Sequence, residues 1–559
     1  MKSTLISVLL ILLILCTNIY SQVENVPLDH PVYTFLKEMK VKNVISYIYE
    51  DVPNLSRIQI KKYLEQIGQK VSELSETERK LFERYKTEFY EVLDADKSTY
   101  FFHPVKDFGT SLSEAFSNKV KYFYAYAEEN ANAFVELLGH YYYGQQFEPS
   151  VNNAHLFDIE FGFRGTLFSH LGYKFSFLKG GAAGSRKVAE LIELKLLQSY
   201  KWVENMENIG NYDFTEGYLK YHTEPAERMD LSFQIGREYK TIGYGYGSKL
   251  ILSGLGPSLD FIQFNFDYGI AHFTSIHGST VGEYSPVRSE RYTKYWAYNR
   301  FKLSFNKLFD IGIGESIVYS GRGIDLAYLT PLAFYKFVEH SIQDRDNGNL
   351  YFDLQTSFIN NLEFQATFLL DENILSNLQN LESYKNKTAY QLGVFWYEAM
   401  NVENFSLMLE YTKIRPYVYS HYDIKNTYSG WGVNLGHPIG PNADEIFSRA
   451  AYNFTDWIRL TLDYRYIRSG ENIYDENGNL IKNVGGDIYL THGSNPQNEN
   501  AIFLDGIRID NHIINCSLRI EPVRDFIFEV NYNFNHQKNI TDDVNNDQSY
   551  GEIKFTLNY

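Results

Sequence analysis

The feature that most restricts this chain is strict two-residue alternation at its C-terminal end. Ile553, Phe555, Leu557 and Tyr559 alternate with Glu552, Lys554, Thr556 and Asn558. One segment earlier, Phe526, Phe528, Val530, Tyr532 and Phe534 alternate mostly with polar residues, Glu529, Asn531, Asn533 and Asn535 among them. Earlier still, Ile458, Leu460, Leu462, Tyr464 and Tyr466 alternate with Arg459, Thr461, Asp463 and Arg465. Similar runs occupy Leu350–Phe358, Leu362–Leu370, Phe405–Tyr411 and Ile514–Ile520. A period of two puts apolar side chains on one face of a strand and polar ones on the other. Two architectures produce this pattern. A soluble sandwich turns one face to a core and the other to water. A membrane barrel turns one face to lipid and the other to a polar lumen. The barrel is favoured by charged groups on the polar faces, by runs of about ten residues, enough for a tilted strand to cross a bilayer, and by an aromatic residue ending the last strand.

Composition agrees. Of 559 residues, 16% are aromatic, with 47 Tyr, 40 Phe and only 5 Trp. Tyr and Phe suit pleated surfaces and membrane interfaces. A helical membrane protein needs apolar stretches of roughly 20 residues, and only the N-terminus approaches that. A formal net charge of −17 argues against a nucleic-acid partner, because phosphate binding needs a basic face.

The N-terminus reads as a secretory leader, residues 1–21. Lys2 precedes the apolar run Leu5 to Leu15, and Ser21 supplies a small residue at the cleavage position. Cys16 falls within it, leaving Cys516 alone in the mature chain, with no internal disulfide. Residues 22–98 then carry a helical period. Val32, Phe35, Leu36 and Met39 form one stripe, Pro53 breaks the chain, and Ser56 precedes a second helix with Ile60, Leu64 and Ile67. Ser75 and Glu78 have capping-box spacing before Leu81, Phe82, Tyr85 and Phe89. Helices this short need a surface to pack on. Residues 99–559 form the expected barrel. About 25 residues per strand and loop give roughly 16 to 20 strands, with an even count favoured. Asn539–Gln548 and Ser469–Asn500, both rich in polar residues, are expected as extracellular loops.

No catalytic signature stands out. There is no zinc-protease helix motif, serine-hydrolase elbow, P-loop or cysteine cluster, so neither enzyme nor cofactor is expected. Gly243, Gly245 and Gly247 in GYGYGS precede no helical pattern and fit a tight turn or close backbone approach. Asp344, Asp346 and Gly348 resemble part of a calcium loop but lack its later glutamate, so a polar hairpin loop is expected. His272 and His277, five apart, fall on opposite strand faces and do not make a metal pair. Asp371 and Glu372 adjoin at a strand end, as a solvated loop edge would. Between Phe214 and Glu372, Arg237, Tyr244, Glu315, Arg322 and Asp371 lie among many Tyr and Phe. Rings stack on apolar sugar faces, while arginine and carboxylates bond hydroxyls and carboxylates. These five residues are the expected ligand-binding set; a network that only braces a large barrel is the alternative.

The chain resembles the Wzi capsule-assembly family of outer-membrane lectins. The likeness is carried by VPLDHPVYTFLKEMKVKNVI and PNLSRIQIKKYL near the N-terminus, and most specifically by Arg237–Ile262 and Leu308–Glu372. The resemblance implies an 18-stranded barrel with a helical bundle at its periplasmic mouth. It also implies non-catalytic binding of capsular or related exopolysaccharide at the cell surface. Outer-membrane lipid and the barrel-assembly machinery are the further partners expected. The rivals are a porin or substrate-specific channel, and an outer-membrane protease or phospholipase.

Overall fold

The computed structural model describes residues 22–90, 96–102, 108–128, 130–199, 201–202, 208–283, 285, 287–305, 308–331, 333–343, 345–371, 380, 382–494 and 499–559. Residues 1–21, expected as a leader, and Asp344 and Glu372 lie outside the described residues.

The main sheet closes on itself. Two of its twenty strands, Tyr124–Glu128 and Lys201–Trp202, are short edge pieces, and the other eighteen, among the described residues, make the ring. They are β1 Ala131–Glu148, β2 Asn152–Leu167, β3 Leu171–Gly184, β4 Ile209–Ala226, β5 Met229–Glu238, β6 Leu259–Tyr268, β7 Ala271–Val281, β8 Thr293–Ser304 and β9 Asp310–Ser320, followed by β10 Asn347–Thr356, β11 Leu362–Leu370, β12 Thr388–Tyr397, β13 Phe405–Ile414, β14 Ala443–Thr455, β15 Ile458–Glu471, β16 Ile507–Val523, β17 Phe526–Asn539 and β18 Val544–Asn558. All neighbours in the ring pair antiparallel. The seam is β18 on β1, with Ile553 opposite Tyr143 and Leu557 opposite Gly139.

The alternation resolves into an outer and an inner face. On β15 the outer face runs Ile458, Leu460, Leu462, Tyr464, Tyr466, Arg468, with Leu462 and Tyr464 exposed. That order is an apolar belt, a tyrosine girdle and then charge, as a lipid-facing wall requires. The inner face carries Arg459, which donates to Glu38, and Arg465, which donates to Glu445. This is the wall of a closed, membrane-spanning barrel. Among the described residues, no helix is long and apolar enough to cross a membrane.

Several strands exceed the expected length of about ten residues; β1 and β4 have 18 each. Asn539–Gln548 is not a long loop. The ladder continues to Asn539 opposite Val544, leaving 540–543 as the turn. Here the hairpin stands beyond the apolar belt, so both faces meet water, alternation stops, and composition imitates a loop.

One end of the ring has only short turns, whereas the long connections (185–208, 239–258, 321–346, 371–387, 415–442, 472–506) all lie at the other, beside the short turns 149–151 and 540–543. That asymmetry assigns the first end to the periplasm. The N-terminal helices sit there: α1 Val32–Val41, α2 Arg57–Gly68 and α3 Glu76–Tyr90. Ser56 and Gln59 form the capping box of α2, and Ser75 with Glu78 does the same for α3. The apolar stripes of all three meet one another and Phe395 and Tyr397 of β12. Burying Val32, Phe35, Leu36 and Met39 contributes up to roughly 6–12 kcal/mol before chain entropy is set against it. Between the helices and the ring, Ser98–Tyr100 pairs in parallel with Val120–Tyr122, so the first ring strand starts only at Ala131.

The bundle is anchored at several points on the rim. The backbone N–H of Asn361 donates to the carbonyl of Val41, and Lys42 pairs with Glu398 at 2.7 Å. On one side of the seam, Glu24 accepts from Arg164 and Thr166 of β2, both at 2.9 Å. On the other side, Arg84 pairs with Glu521, and Arg524 donates to the carbonyl of Arg84 at 2.7 Å.

Candidate functional site: a lumen plugged from both ends

The connection 239–258 turns inward instead of standing outside. Its alternate glycines make this path available. Gly243 and Gly245 have φ of +104° and +138°, and a Cβ on Gly245 would lie 2.0 Å from the carbonyl oxygen of Ser248. The freed backbone reaches the opposite wall. The N–H groups of Tyr246 and Gly247 donate to the two oxygens of Glu410 at 2.7 and 2.9 Å. Gly245 donates to Gln365 Oε1 at 3.1 Å, and Arg465 donates to the carbonyl of Gly247 at 3.0 Å. The close-approach reading of GYGYGS therefore holds.

The N-terminal region enters from the periplasmic side. Glu50 pairs with Lys37 and, at 2.9 Å, with Lys40, which also pairs with Glu363 of β11 at 2.8 Å. Burial alone would raise the Glu50 pKa, but the two lysines outweigh it and hold the carboxyl at about 2. Asp51 pairs with Arg300 and Lys302 of β8, and Arg300 reaches both oxygens of Asp353 on β10 at 2.6 and 3.1 Å. The two insertions meet where the N–H of Gly243 donates to the carbonyl of Asp51 at 2.9 Å. Lys249, partly buried in the plug, is pushed down to about 8 by desolvation, against the pull of Glu50 and Glu410.

Above this junction the lumen contains a dry core. Ile242, Leu250, Ile251 and Leu252 pack on Trp296, Tyr298, Tyr351, Tyr419 and Tyr428, all buried. Trp296 Nε1 donates to Tyr428 Oη at 2.8 Å, and that hydroxyl donates to the carbonyl of Ile251, also at 2.8 Å. Below it, beside residues 49–59, lies a polar cavity lined by Lys220, His222, Asp230, Gln263, Asp267 and His272, among others.

The five residues expected to bind ligand do not converge. Arg237 sits on the outer face of β5, half exposed, 3.5 Å from Asp260. Tyr244 is buried in the plug with its ring 5.4 Å from the Arg300 guanidinium. Glu315 points outward from β9 and accepts from the N–H groups of Tyr335 and Lys336, capping the helix Tyr335–Ser341. Arg322 makes a two-pronged pair with Asp346 at 2.8 and 2.6 Å and lies over the Tyr319 ring. Asp371 is buried and accepts from the N–H of Tyr419, fixing the loop 415–442. It is thus not a solvated loop edge. His272 and His277 do face opposite ways, the first pairing with Asp267 in the lumen and the second with Tyr319 outside.

Sequence reasoning missed Asp51, Arg300, Lys302, Asp353 and Glu410. A signal existed: Arg300 and Lys302 share the inner face of a strand rich in aromatic residues. At the extracellular mouth it also missed a ring cluster joining three loops. Tyr384 and His492 stack with centroids 3.4 Å apart at 3°, and Tyr417 meets His492 edge-on at 5.6 Å. Arg415, close by in sequence, has a buried Nε with no hydrogen-bond partner.

Comparison with known proteins now places the chain. A family model described as capsule assembly protein Wzi matches residues 103–549. The solved structure of Wzi from Escherichia coli, an outer-membrane protein involved in group 1 capsule assembly and described as a carbohydrate-binding β-barrel, aligns at a TM-score of 0.55 and 13% identity, over 96% of this chain and 99% of that one. OprD of Pseudomonas aeruginosa aligns at 0.41 with 11% identity, over 76% of this chain and 95% of its own. OccAB2 of Acinetobacter baumannii aligns at 0.45 with 9% identity, over 76% and 98%. No curated protein matches by sequence. The closed barrel and the match over most of its length agree, and the chain belongs to the Wzi capsule assembly family as an outer-membrane barrel.

Proposed function

We propose that this barrel holds surface polysaccharide at its extracellular mouth, by binding and without catalysis, and so takes part in capsule assembly. The observation that carries the reading is the Tyr384–His492–Tyr417 cluster, set above a plugged lumen. Sugar rings stack on aromatic faces through their apolar C–H surfaces. Arg415 is the group for an acidic glycan, since a guanidinium grips a carboxylate through two parallel bonds. Asp371 is a positioning residue, holding the loop that carries Tyr417. Escherichia coli Wzi, described as carbohydrate binding, supports the reading. A plugged lumen disfavours the channel alternative. The apolar outer wall fits outer-membrane lipid, and the closed ring of strands fits the barrel-assembly machinery as a further partner.

The test is binding of purified capsular polysaccharide to full-length, heat-modifiable protein. Tyr384→Ala and Arg415→Ala should each weaken binding by about tenfold, roughly 1.4 kcal/mol. Arg237→Lys and Arg322→Lys are the contrasting arms. If these lose binding while the mouth variants keep it, the site lies on the outer wall instead.

A further inference from the structure

The long connection 321–346 does not rise into the medium. It folds down over the outer wall. On β9 the even positions face the lumen: Ser316 meets Tyr428, and Ser320 donates to Asn426. The odd positions face out. Ile311 and Ile313 are exposed, whereas Glu315, Ile317 and Tyr319 are covered. Their cover is the turn Leu326–Leu329 and the helix Tyr335–Ser341, with Tyr328 and Tyr335 packed on Ala297, Ile317 and Tyr319. Asn299 of β8 donates outward to the carbonyl of Ala333 at 3.0 Å. A Cβ on Gly348 of β10 would lie 2.9 Å from Glu339 Oε2, so the helix also overlies that strand.

The height of this cover follows from counting along the wall. Glu315 is the sixth residue of β9 from its periplasmic start, Asp310. The sixth and seventh residues of β15 are Asp463 and Tyr464, so the same distance reaches the tyrosine girdle there. The wall beneath the cover breaks the lipid-facing rule with outward Glu315, Asn299, Ser275 and His277. All four are buried. The surface that replaces them is apolar again. Leu326 and Phe337 are 73% and 72% exposed, and Ile324 and Phe334 are exposed beside them. It continues the belt of Phe301, Ile311, Ile313 and Phe352 directly below. Lys336, paired with Glu339 at 2.7 Å, and Arg345, 3.8 Å from Asp325, flank it.

We infer that residues 321–331, 333–343 and 345–346 form a paddle lying in the outer leaflet at the boundary of headgroups and acyl chains, with Ile324, Leu326, Phe334 and Phe337 in contact with lipid. Its occupant is the membrane itself, because the exposed face prolongs the barrel's own lipid-facing belt. The polar wall beneath is thereby kept from the acyl chains, and Glu315 has the helix backbone as its partner instead of hydrocarbon.

The experiment uses full-length protein carrying Cys516→Ser, reconstituted into phosphatidylethanolamine–phosphatidylglycerol vesicles. Spin labels are placed singly at Leu326→Cys, Phe337→Cys and Ile324→Cys, with Leu462→Cys in the belt and Asn477→Cys in an exposed loop as references. Power saturation then compares access by oxygen with access by a water-soluble nickel chelate. The expected result is that the paddle labels match Leu462, high in oxygen and low in nickel. Labels that match Asn477 overturn the inference, because the face is then in water. Labels shielded from both reagents also overturn it, because protein is then the cover. Three independent positions keep the test valid if one variant fails to give the heat-modifiable form.

Discussion

Strands β14–β18 and strands β7–β10 belong to one ring yet live in different surroundings. On β14–β18 the outer wall meets lipid directly, and many inner residues are only half-buried. On β7–β10 the lumen is filled by the plug and part of the outer wall is covered by 321–346, so β8 and β9 are almost wholly buried. A strand with one wet face and one apolar face displays its period. A strand enclosed on both sides does not, as the run Tyr295-Trp296-Ala297-Tyr298 shows. The difference also sets the worth of a charge. Arg300 is fully enclosed between Asp51 and Asp353, whereas Arg449, paired with Asp463 at 2.6 Å, is a third exposed.

That contrast is broken most forcefully at Arg300. Arg300→Ala takes from buried Asp353 its ion-pair partner and leaves Asp51 with Lys302 alone; it should cost about 3–5 kcal/mol, read as a lower temperature for loss of the heat-modifiable form. Arg449→Ala should cost about 1 kcal/mol or less by the same measure. Equal effects would show that the two halves of the ring are electrostatically alike.

Removal of residues 27–93 comes next. The bundle covers the periplasmic mouth, yet the loop 239–258 stays in the lumen without it. The shortened barrel should therefore be less stable, since Arg300 and Lys302 lose Asp51, while planar-bilayer conductance stays low. Conductance should rise only when 239–258 is also shortened. A conducting barrel after the first deletion alone would show that the plug leans on the bundle to stay in place.

A smaller effect is expected from Gly245→Ala, at about 1–3 kcal/mol for strain at positive φ. It should be read as proteolytic nicking within 239–258, with the ring itself intact. The acid response of Glu50 completes the comparison. Its folded pKa of about 2 lies below the ordinary 4.5, so its stabilisation is complete above 4.5 and lost as pH falls toward 2. Acid titration of the folded form should show that loss in the wild type and not in Glu50→Gln.

The sequence made the ring legible and left its contents hidden. Alternation in β15, β17 and β18, the two capping boxes and the terminal Tyr559 point to a barrel with a helical cap. The resemblance supplied the count of eighteen. Residue identity cannot show that a glycine-rich connection goes inward while 321–346 goes outward and down, because both depend on partners far away in the chain: Glu410 for one, Ile317 and Tyr319 for the other. The same limit scattered the expected site. Arg237, Tyr244, Glu315, Arg322 and Asp371 share a stretch of sequence, but strand parity sends them to the outer wall, the plug and the rim. The mouth cluster needed three loops to meet, and no spacing of Tyr384, Tyr417 and His492 announces that.

The anchors of the bundle lie on both sides of the seam between β18 and β1, Glu24 on β2 and Arg84 at the β16–β17 rim. Any ring of strands is most easily parted where its two ends were joined, because no turn links the strands there. In this barrel sideways opening at that line would also have to pull the helical bundle off one of its two footings. The segment read as a cap on the periplasmic mouth is thus equally a clasp across the wall, and it limits how far the barrel can gape toward the surrounding lipid.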